Sequence, residues 1–311
     1  MKNKISGLHH ITAIAGNAQR NFDFYTKVLG LRLVKKTVNF DDPGTYHFYY
    51  GNEEGTPGTI LTFFPWENIG QGQPGNGQAT DIGYAVPEGS LEFWTNRFKE
   101  HNVSFGEAGE RFGETYLPFT DPDGLGISLI IPKATDNRKV WETAEVKADA
   151  ATKGFHSVTL SLEKIDATAK ILTDIFGYSL QSQEGNRYRF TVDSVDNANI
   201  IDLLENPGGT RGRNAAGTNH HVAFRVPDEE TQMAFHEEIM SKNLNITPKI
   251  DRDYFYSLYF REPGGVLFEI ATDNPGFTVD EPLNELGTHL KLPKQHERLR
   301  SQLEEFLPKI Q

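Results

Sequence analysis

Gly7-Leu8-His9-His10-Ile11-Thr12 recurs within the chain as Gly154-Phe155-His156-Ser157-Val158-Thr159, and Val28-Leu29-Gly30-Leu31 recurs as Ile175-Phe176-Gly177-Tyr178. A second pair of copies lies between these. Gly77-Gln78-Ala79-Thr80-Asp81-Ile82, running on to Val86-Pro87, matches Gly217-Thr218-Asn219-His220-His221-Val222, running on to Val226-Pro227. Asp121-Pro122-Asp123-Gly124 likewise matches Glu262-Pro263-Gly264-Gly265. Four units follow, at residues 7–66, 77–132, 154–205 and 217–272. Copies of one supersecondary unit cannot each bury an apolar face alone, so they are expected to pack on one another.

Each unit reads as β-α-β-β-β. An alternating strand opens it, and a helix with apolar residues at helical spacing follows: Phe22, Tyr25, Val28 and Leu29 in the first unit, Ile171, Leu172, Ile175 and Phe176 in the third. Gly30 and Gly177 stand where a left-handed cap ends a helix. Aromatic and β-branched strands complete the unit, as in 45–50 and 59–64. The pattern predicts an α+β fold built from four βαβββ modules. By chain order the modules divide into an N-terminal pair (1–140) and a C-terminal pair (150–311). The C-terminal pair carries a helical tail whose face is Leu299, Leu303, Phe306 and Leu307. The connectors 69–77 and 206–217 are rich in Gly and Pro.

Composition removes several function classes. The chain has no cysteine, so disulfides, thiolate metal sites, iron–sulfur clusters and thiol nucleophiles are excluded. A net charge of −12 argues against nucleic acid or an anionic membrane surface as partner. No stretch approaches the roughly 18 apolar residues of a membrane span, and no signal-peptide core opens the sequence; a cytoplasmic location is the expectation. The sequence is compatible with a homo-oligomer.

Differences between the copies separate scaffold from chemistry. The first strand carries one focal position per unit: His10, Asp81, Ser157 and His221. In the last strand only the fourth unit is read as holding a strong ligand, Glu269 within Val266-Leu267-Phe268-Glu269-Ile270-Ala271. The second unit has Ser128 there, and the first has the neighbourhood of Phe63. A buried carboxylate costs several kcal/mol unless it is paired or holds a metal. Arg252 or Arg261 could pair with it instead, and a His-His doublet is often one core and one surface histidine. Taken together, two histidines and a carboxylate at matched positions suit the facial triad of non-haem iron(II) oxygenases. The remaining histidines, His47, His101, His236, His289 and His296, read as surface or loop residues, with His47 worth watching. Strict alternation turns His9 away from His10's face, whereas Thr12 should share that face with His10.

On these motifs the chain resembles the vicinal-oxygen-chelate (glyoxalase/bleomycin-resistance/extradiol dioxygenase) superfamily over nearly its whole length. More narrowly it is similar to ring-cleaving dioxygenases acting on hydroquinones. That similarity rests on 7–12, 219–224, Asp251-Arg252, 259–263 and 267–271. The resemblance implies iron(II), or manganese(II), held by His10, His221 and Glu269, with a small aromatic substrate and dioxygen as partners. It implies surrounding roles for His9, His220, Arg252 and Tyr259: Tyr259 and Arg252 stabilising charge, and His220 an acid–base with an imidazole pKa near the operating pH. The resemblance also implies that the four modules form two cup-shaped mixed sheets with helices outside; because the ligands come from the first and fourth units, these two are expected to share one cup. A glyoxalase-type metal-dependent isomerase or lyase is the alternative enzyme, and an antibiotic-sequestering protein the non-enzyme alternative.

Overall fold

The computed structural model describes residues 4–311. The first module contributes β1 (Leu8–Ala15), β2 (Arg32–Val38), β3 (Tyr46–Gly51) and β4 (Ile60–Pro65), and the second β5 (Gln78–Ala85), β6 (Gly109–Arg111), β7 (Glu114–Thr120) and β8 (Gly126–Ile130). The third contributes β9 (Gly154–Leu162), β10 (Ser179–Glu184), β11 (Arg187–Thr191) and β12 (Ile200–Glu205). The fourth contributes β13 (Thr218–Val226), β14 (Ile250–Asp251), β15 (Phe255–Arg261) and β16 (Leu267–Pro275). They form two mixed eight-stranded sheets, ordered β14-β15-β16-β13-β1-β4-β3-β2 and β10-β11-β12-β9-β5-β8-β7-β6. Each sheet joins a module of one half of the chain to a module of the other, through an antiparallel central pair, β1–β13 or β5–β9.

This arrangement explains the connectors. Each must carry the chain from one sheet to the other, and the two run side by side, with bridges Gln71–Ala216, Gln73–Arg213 and Asn76–Arg211. The Asn76 side chain donates to the Asn206 carbonyl at 2.8 Å, fastening the crossing.

The helices lie on the outer faces. Helix α1 (Ala18–Asp23) starts at Asn17, whose side chain accepts from the Arg20 amide. It then widens into a π-turn, with Leu29 N–H bonding Phe24 O at 3.0 Å. The second module has an ordinary helix, α2 (Leu91–Glu100), and the third repeats the device after α3 (Asp166–Lys170), with Phe176 N–H on Ile171 O at 3.1 Å. The sequence pattern shows an ordinary helix, because one extra residue per turn leaves the apolar spacing nearly unchanged. Gly30 (φ 69°) then packs so tightly on Val146 that a Cβ would lie 2.9 Å from it. Helix α4 (Glu229–Ser241) is capped by Asp228. No helix among the described residues is long and apolar enough to cross a membrane.

The central strands are buried on both faces, because one face packs on helices while the other lines a cup. An aromatic core including Tyr25, Phe63, Phe176, Phe224 and Phe268 fills the outer side. A separate cluster, including Val34, Tyr49, Ile60, Ala223, Phe255 and Ala271, closes one end of the first cup. Phe277 and Leu286 of the tail complete this plug. The tail is pinned by Lys35, a fully buried lysine paired with Asp280 and Glu281. It ends in α5 (Arg300–Phe306), where Leu303 and Leu307 are buried but Phe306 is 71 % exposed. The expected four-residue face is therefore interrupted at Phe306, after which the backbone turns extended at Leu307.

Candidate metal centre

Three neighbouring strands, β1, β13 and β16, bring His10, His221 and Glu269 together on the concave face. Their register sets Thr12 opposite His221, His10 opposite Ala223, and Ala223 beside Glu269. Glu269 Oε2 lies 3.2 Å from His10 Nε2 and 2.9 Å from His221 Nε2, and the two nitrogens are 3.4 Å apart. Bonds of about 2.1 Å at right angles would space adjacent donors at about 3 Å, so the three atoms already stand as one face of an octahedron requires. Glu269 is fully buried, its Oε1 accepts from Ser257 Oγ, and its Oε2 has no hydrogen-bond donor. A buried carboxylate oxygen left this way, aimed with two imidazole nitrogens at a common point, fits a divalent cation. Neither Arg252 nor Arg261 takes it: Arg252 reaches Asp41 at 3.6 Å, and Arg261 donates to the Gly265 carbonyl.

The doublets work through two β-bulges. Between Leu8 and His10 the register skips His9, and between Thr12 and Ala13 it skips His220. Each bulge turns the extra residue toward its neighbour rather than to the far face. His9 Nδ1 is 2.9 Å from His10 Nδ1, and His220 Nδ1 is 2.7 Å from His221 Nδ1. The alternation expected of His9 fails for this reason. One proton is shared in each pair. A ligating imidazole must present a bare Nε2, so it carries Nδ1–H and donates to the bulge histidine, which fixes the ring's orientation.

Electrostatics disfavour the charged forms of His9, His220 and His221 beside an ionised Glu269. Burial, then repulsion from His10, holds His9 well below the usual imidazole range, and burial opposed by Glu269 lowers His221. Burial, then His221, pushes His220 down to about 3, so the expectation of an imidazole titrating near neutrality does not hold there. Burial alone would raise the Glu269 carboxyl, but His10 and His221 outweigh it and hold it well below the carboxylate range. Burial, reinforced by Glu269, raises the Tyr259 hydroxyl, which stays a proton donor. The Tyr259 ring meets His221 edge-on at 5.6 Å, and the Arg252 guanidinium lies between the rings of Tyr259 and Phe40, at 5.5 and 5.2 Å.

A pH dependence follows. His9, His47, His220 and His221 all lie below 6.5 in the folded chain. The unfolded chain binds protons there below about pH 6.5 while the native state does not. Their contribution to stability is therefore complete above about pH 6.5 and is lost as pH falls, by at most about 1.4 kcal/mol per pH unit for each group. Urea unfolding of the metal-free protein should show a falling midpoint from pH 7 to pH 5, and a flat profile would contradict the assignment.

Two features of the first cup, His47 and Thr62, escaped the sequence. His47 is not a surface residue: it is buried in the first cup, with Nε2 2.9 Å from Thr62 Oγ1, Nδ1 2.9 Å from Tyr49 OH, and its ring 4.4 Å from Phe64. Its signal was a lone polar residue in the aromatic run Tyr46-His47-Phe48-Tyr49-Tyr50. Thr12 faces the same cup and meets Thr62 Oγ1 at 2.9 Å. In the first module Thr62, which pairs with Thr12, occupies the place of Glu269, one residue before the neighbourhood of Phe63.

The third module also departs from expectation. Asp202, paired with Thr159, is a carboxylate at the place of Glu269, so the fourth unit is not alone in having one. It is spent in a different way. Arg189 grips Asp202 through two bonds of 2.9 and 3.0 Å and also donates to Glu114, which His156 Nε2 meets at 3.1 Å. Asp81 accepts from Ser128 and from Arg111. An ion-pair network fills the second cup where the first gathers His10, His221 and Glu269.

Comparison with known proteins agrees with this geometry. The profile of the Glyoxalase/Bleomycin resistance protein/Dioxygenase superfamily matches residues 7–129 and 154–270. The chain is 48% identical over 307 residues to a Bacillus subtilis (strain 168) protein provisionally named ring-cleaving dioxygenase MhqO, covering 99% of this chain and 97% of the relative. It is 36% identical over 308 residues to the chlorohydroquinone/hydroquinone 1,2-dioxygenase of Sphingobium indicum, covering 96% and 95%. The crystal structure of a provisionally named dioxygenase from Bacillus subtilis superposes with a TM-score of 0.95 at 47% identity, covering 100% of this chain and 99% of that one. With its repeats, its two cups and its convergent donors, this chain belongs to the glyoxalase/bleomycin resistance protein/dioxygenase superfamily.

Proposed function

We propose that the protein is an iron(II)-dependent dioxygenase that opens the ring of a hydroquinone-type aromatic, with His10, His221 and Glu269 as the metal ligands. The observation that carries this reading is the facial arrangement of two imidazoles and one carboxylate. It leaves the opposite side of an octahedron for ligands from outside the chain. The relatives named as ring-cleaving and hydroquinone dioxygenases support the reaction and the substrate class. The donor set would accept manganese(II) as well. Isomerases of this fold typically add a fourth protein donor, and Thr62 at the place of Glu269 is too short and too engaged to be one.

The bound metal would supply the transfer of electron density from a phenolate to dioxygen. The chain's own residues do the rest. Ser257 holds one Glu269 oxygen so that the other faces inward, while His9 and His220 hold the ligating rings by their Nδ1 atoms. The apolar plug around Phe255 and Tyr49 excludes water from one end of the cup. Tyr259 offers a retained O–H and Arg252 a fixed positive charge to the negative charge that develops on the reacting oxygen atoms. His220, neutral at rest with its Nδ1 accepting from His221, presents Nε2–H as a donor beside the ring of Phe64.

The test is anaerobic reconstitution with iron(II), followed by oxygen uptake with hydroquinone, catechol and a glutathione hemithioacetal. Turnover of the hemithioacetal with no oxygen consumed on any phenol would overturn the proposal. Tyr259→Phe should retain metal stoichiometrically but lower kcat by roughly 10²–10³, as loss of one preorganised donor does; an unchanged kcat would remove Tyr259 from the machinery.

A further inference from the structure

The first cup has an internal pseudo-twofold relation that pairs residues of its two modules. His10 corresponds to His221, Thr12 to Ala223, and Thr62 to Glu269, from the matched registers of β1–β4 and β13–β16. One strand further out, Tyr49 pairs with Thr62 as Tyr259 pairs with Glu269, so Tyr49 corresponds to Tyr259 and His47 to Ser257. The hydrogen bonds repeat as well. Ser257 donates to Glu269 on one side, and His47 meets Thr62 on the other. The metal-binding half thus faces a neutral counterpart, the chain Tyr49–His47–Thr62–Thr12, with each contact at 2.9 Å.

We propose that this chain is the dock for a phenolic hydroxyl of the substrate, with Thr62 and Thr12 as its contact atoms and the tautomer of His47 setting whether it donates or accepts. The inference rests on the dioxygenase reading for its substrate class. Threonine is shorter than glutamate, so no carboxylate oxygen reaches the point where a fourth protein donor would stand, and the substrate oxygen would take that place. A hydroxyl has one proton and two lone pairs. Thr62 Oγ1 spends two of these three capacities on His47 and Thr12, while Thr12 Oγ1 spends one on Thr62. Both threonines are fully buried, and their free capacity faces the cup with His10.

Every link can reverse. In one polarity Tyr49 O–H donates to His47 Nδ1, His47 Nε2–H to Thr62, and Thr62 to Thr12, leaving the Thr12 hydroxyl free to donate to a phenolate. In the other, Thr12 donates to Thr62, Thr62 to His47 Nε2, and His47 Nδ1–H to Tyr49, leaving threonine lone pairs to accept from a phenol. The chain of side chains itself neither gains nor loses a proton in either polarity, which suits a cup where an unpaired charge would be costly. Burial, then repulsion from His10 and His221, keeps His47 neutral, so it answers by tautomer rather than by protonation.

The test uses full-length protein loaded with zinc(II), which is redox-inert, titrated without oxygen with hydroquinone and followed by calorimetry and by ¹⁵N NMR of the histidines. Thr62→Val should weaken hydroquinone about tenfold, the scale of one hydrogen bond, while Thr62→Ser should bind within about twofold of the parent. The His47 nitrogen shifts should exchange character on titration of the parent, a readout that needs no variant and that a merely structural histidine would not give. Unchanged affinity in Thr62→Val, with folding verified by circular dichroism, or His47 shifts indifferent to hydroquinone, would overturn the dock. Oxygen uptake by the iron-loaded parent separates the two readings. A parent that consumes no oxygen yet loses hydroquinone affinity in Thr62→Val keeps the dock and loses the dioxygenase. A parent that consumes oxygen, with Thr62→Val binding unchanged, does the reverse.

Discussion

Glu269→Gln is expected to strip the protein of its metal and, with it, of ring cleavage. The change keeps the size of the side chain and its capacity to accept from Ser257 but removes the only anion among the three donors. Removing a hydrogen-bond partner one step away from a metal already costs about 10–100-fold in affinity, and loss of a ligating charge should exceed that. The check is metal content after dialysis, together with melting curves. A ligand present at 100 times its Kd stabilises the native state by about 2.7 kcal/mol. The parent's Tm should therefore rise when iron(II) is added without oxygen, and that of Glu269→Gln should stay put. Full metal occupancy with normal oxygen uptake in the variant would remove Glu269 from the ligand set.

The second large effect lies in the other cup. Arg189→Leu should destabilise the protein by about 3–5 kcal/mol while leaving metal binding intact. Arg189 is buried and satisfies two buried carboxylates, Asp202 and Glu114. Removing one partner of a buried pair leaves uncompensated charge behind, and such cuts carry costs of this size. Urea unfolding should show the loss, and iron titration of the folded variant should match the parent. A change below about 1 kcal/mol would mean that water or Arg187 takes over the exposed carboxylates. A fall in metal affinity instead would mean that the cups are coupled.

How much of this could be read in advance differs between fold and site. The α+β class and the repeated βαβββ unit were legible because apolar spacing and the His9-His10 and His220-His221 doublets repeat at matched positions. The convergence of His10, His221 and Glu269 was legible for the same reason: a polar residue in an otherwise apolar strand stands out. The bulges were not. A single extra residue breaks the period of two without leaving a mark in composition, so His9 was turned to the wrong face. His47 was hidden by being one of many histidines, and only its neighbours on an aromatic strand distinguish it. Asp202 was missed because Ile200-Ile201-Asp202-Leu203-Leu204-Glu205 ends in a second acid, and the strand register alone decides which of the two corresponds to Glu269. The depressed pKa of His220 depends on how deeply the fold encloses it, which no local pattern encodes.

The crossing of the chain between two sheets has a consequence for the order of events during synthesis. His10 and His221 are 211 residues apart in sequence, yet they belong to adjacent central strands. At roughly 5–20 residues per second, a ribosome needs on the order of 10–40 s to pass from one to the other, and β16 with Glu269 emerges later still. During that interval β1 has its first-module neighbours but no partner along its other edge, and His10 alone is a feeble claimant for any cation. The donors assemble only when the last strand closes beside β13. A nascent chain thus cannot bring the three donors together until β16 is in place.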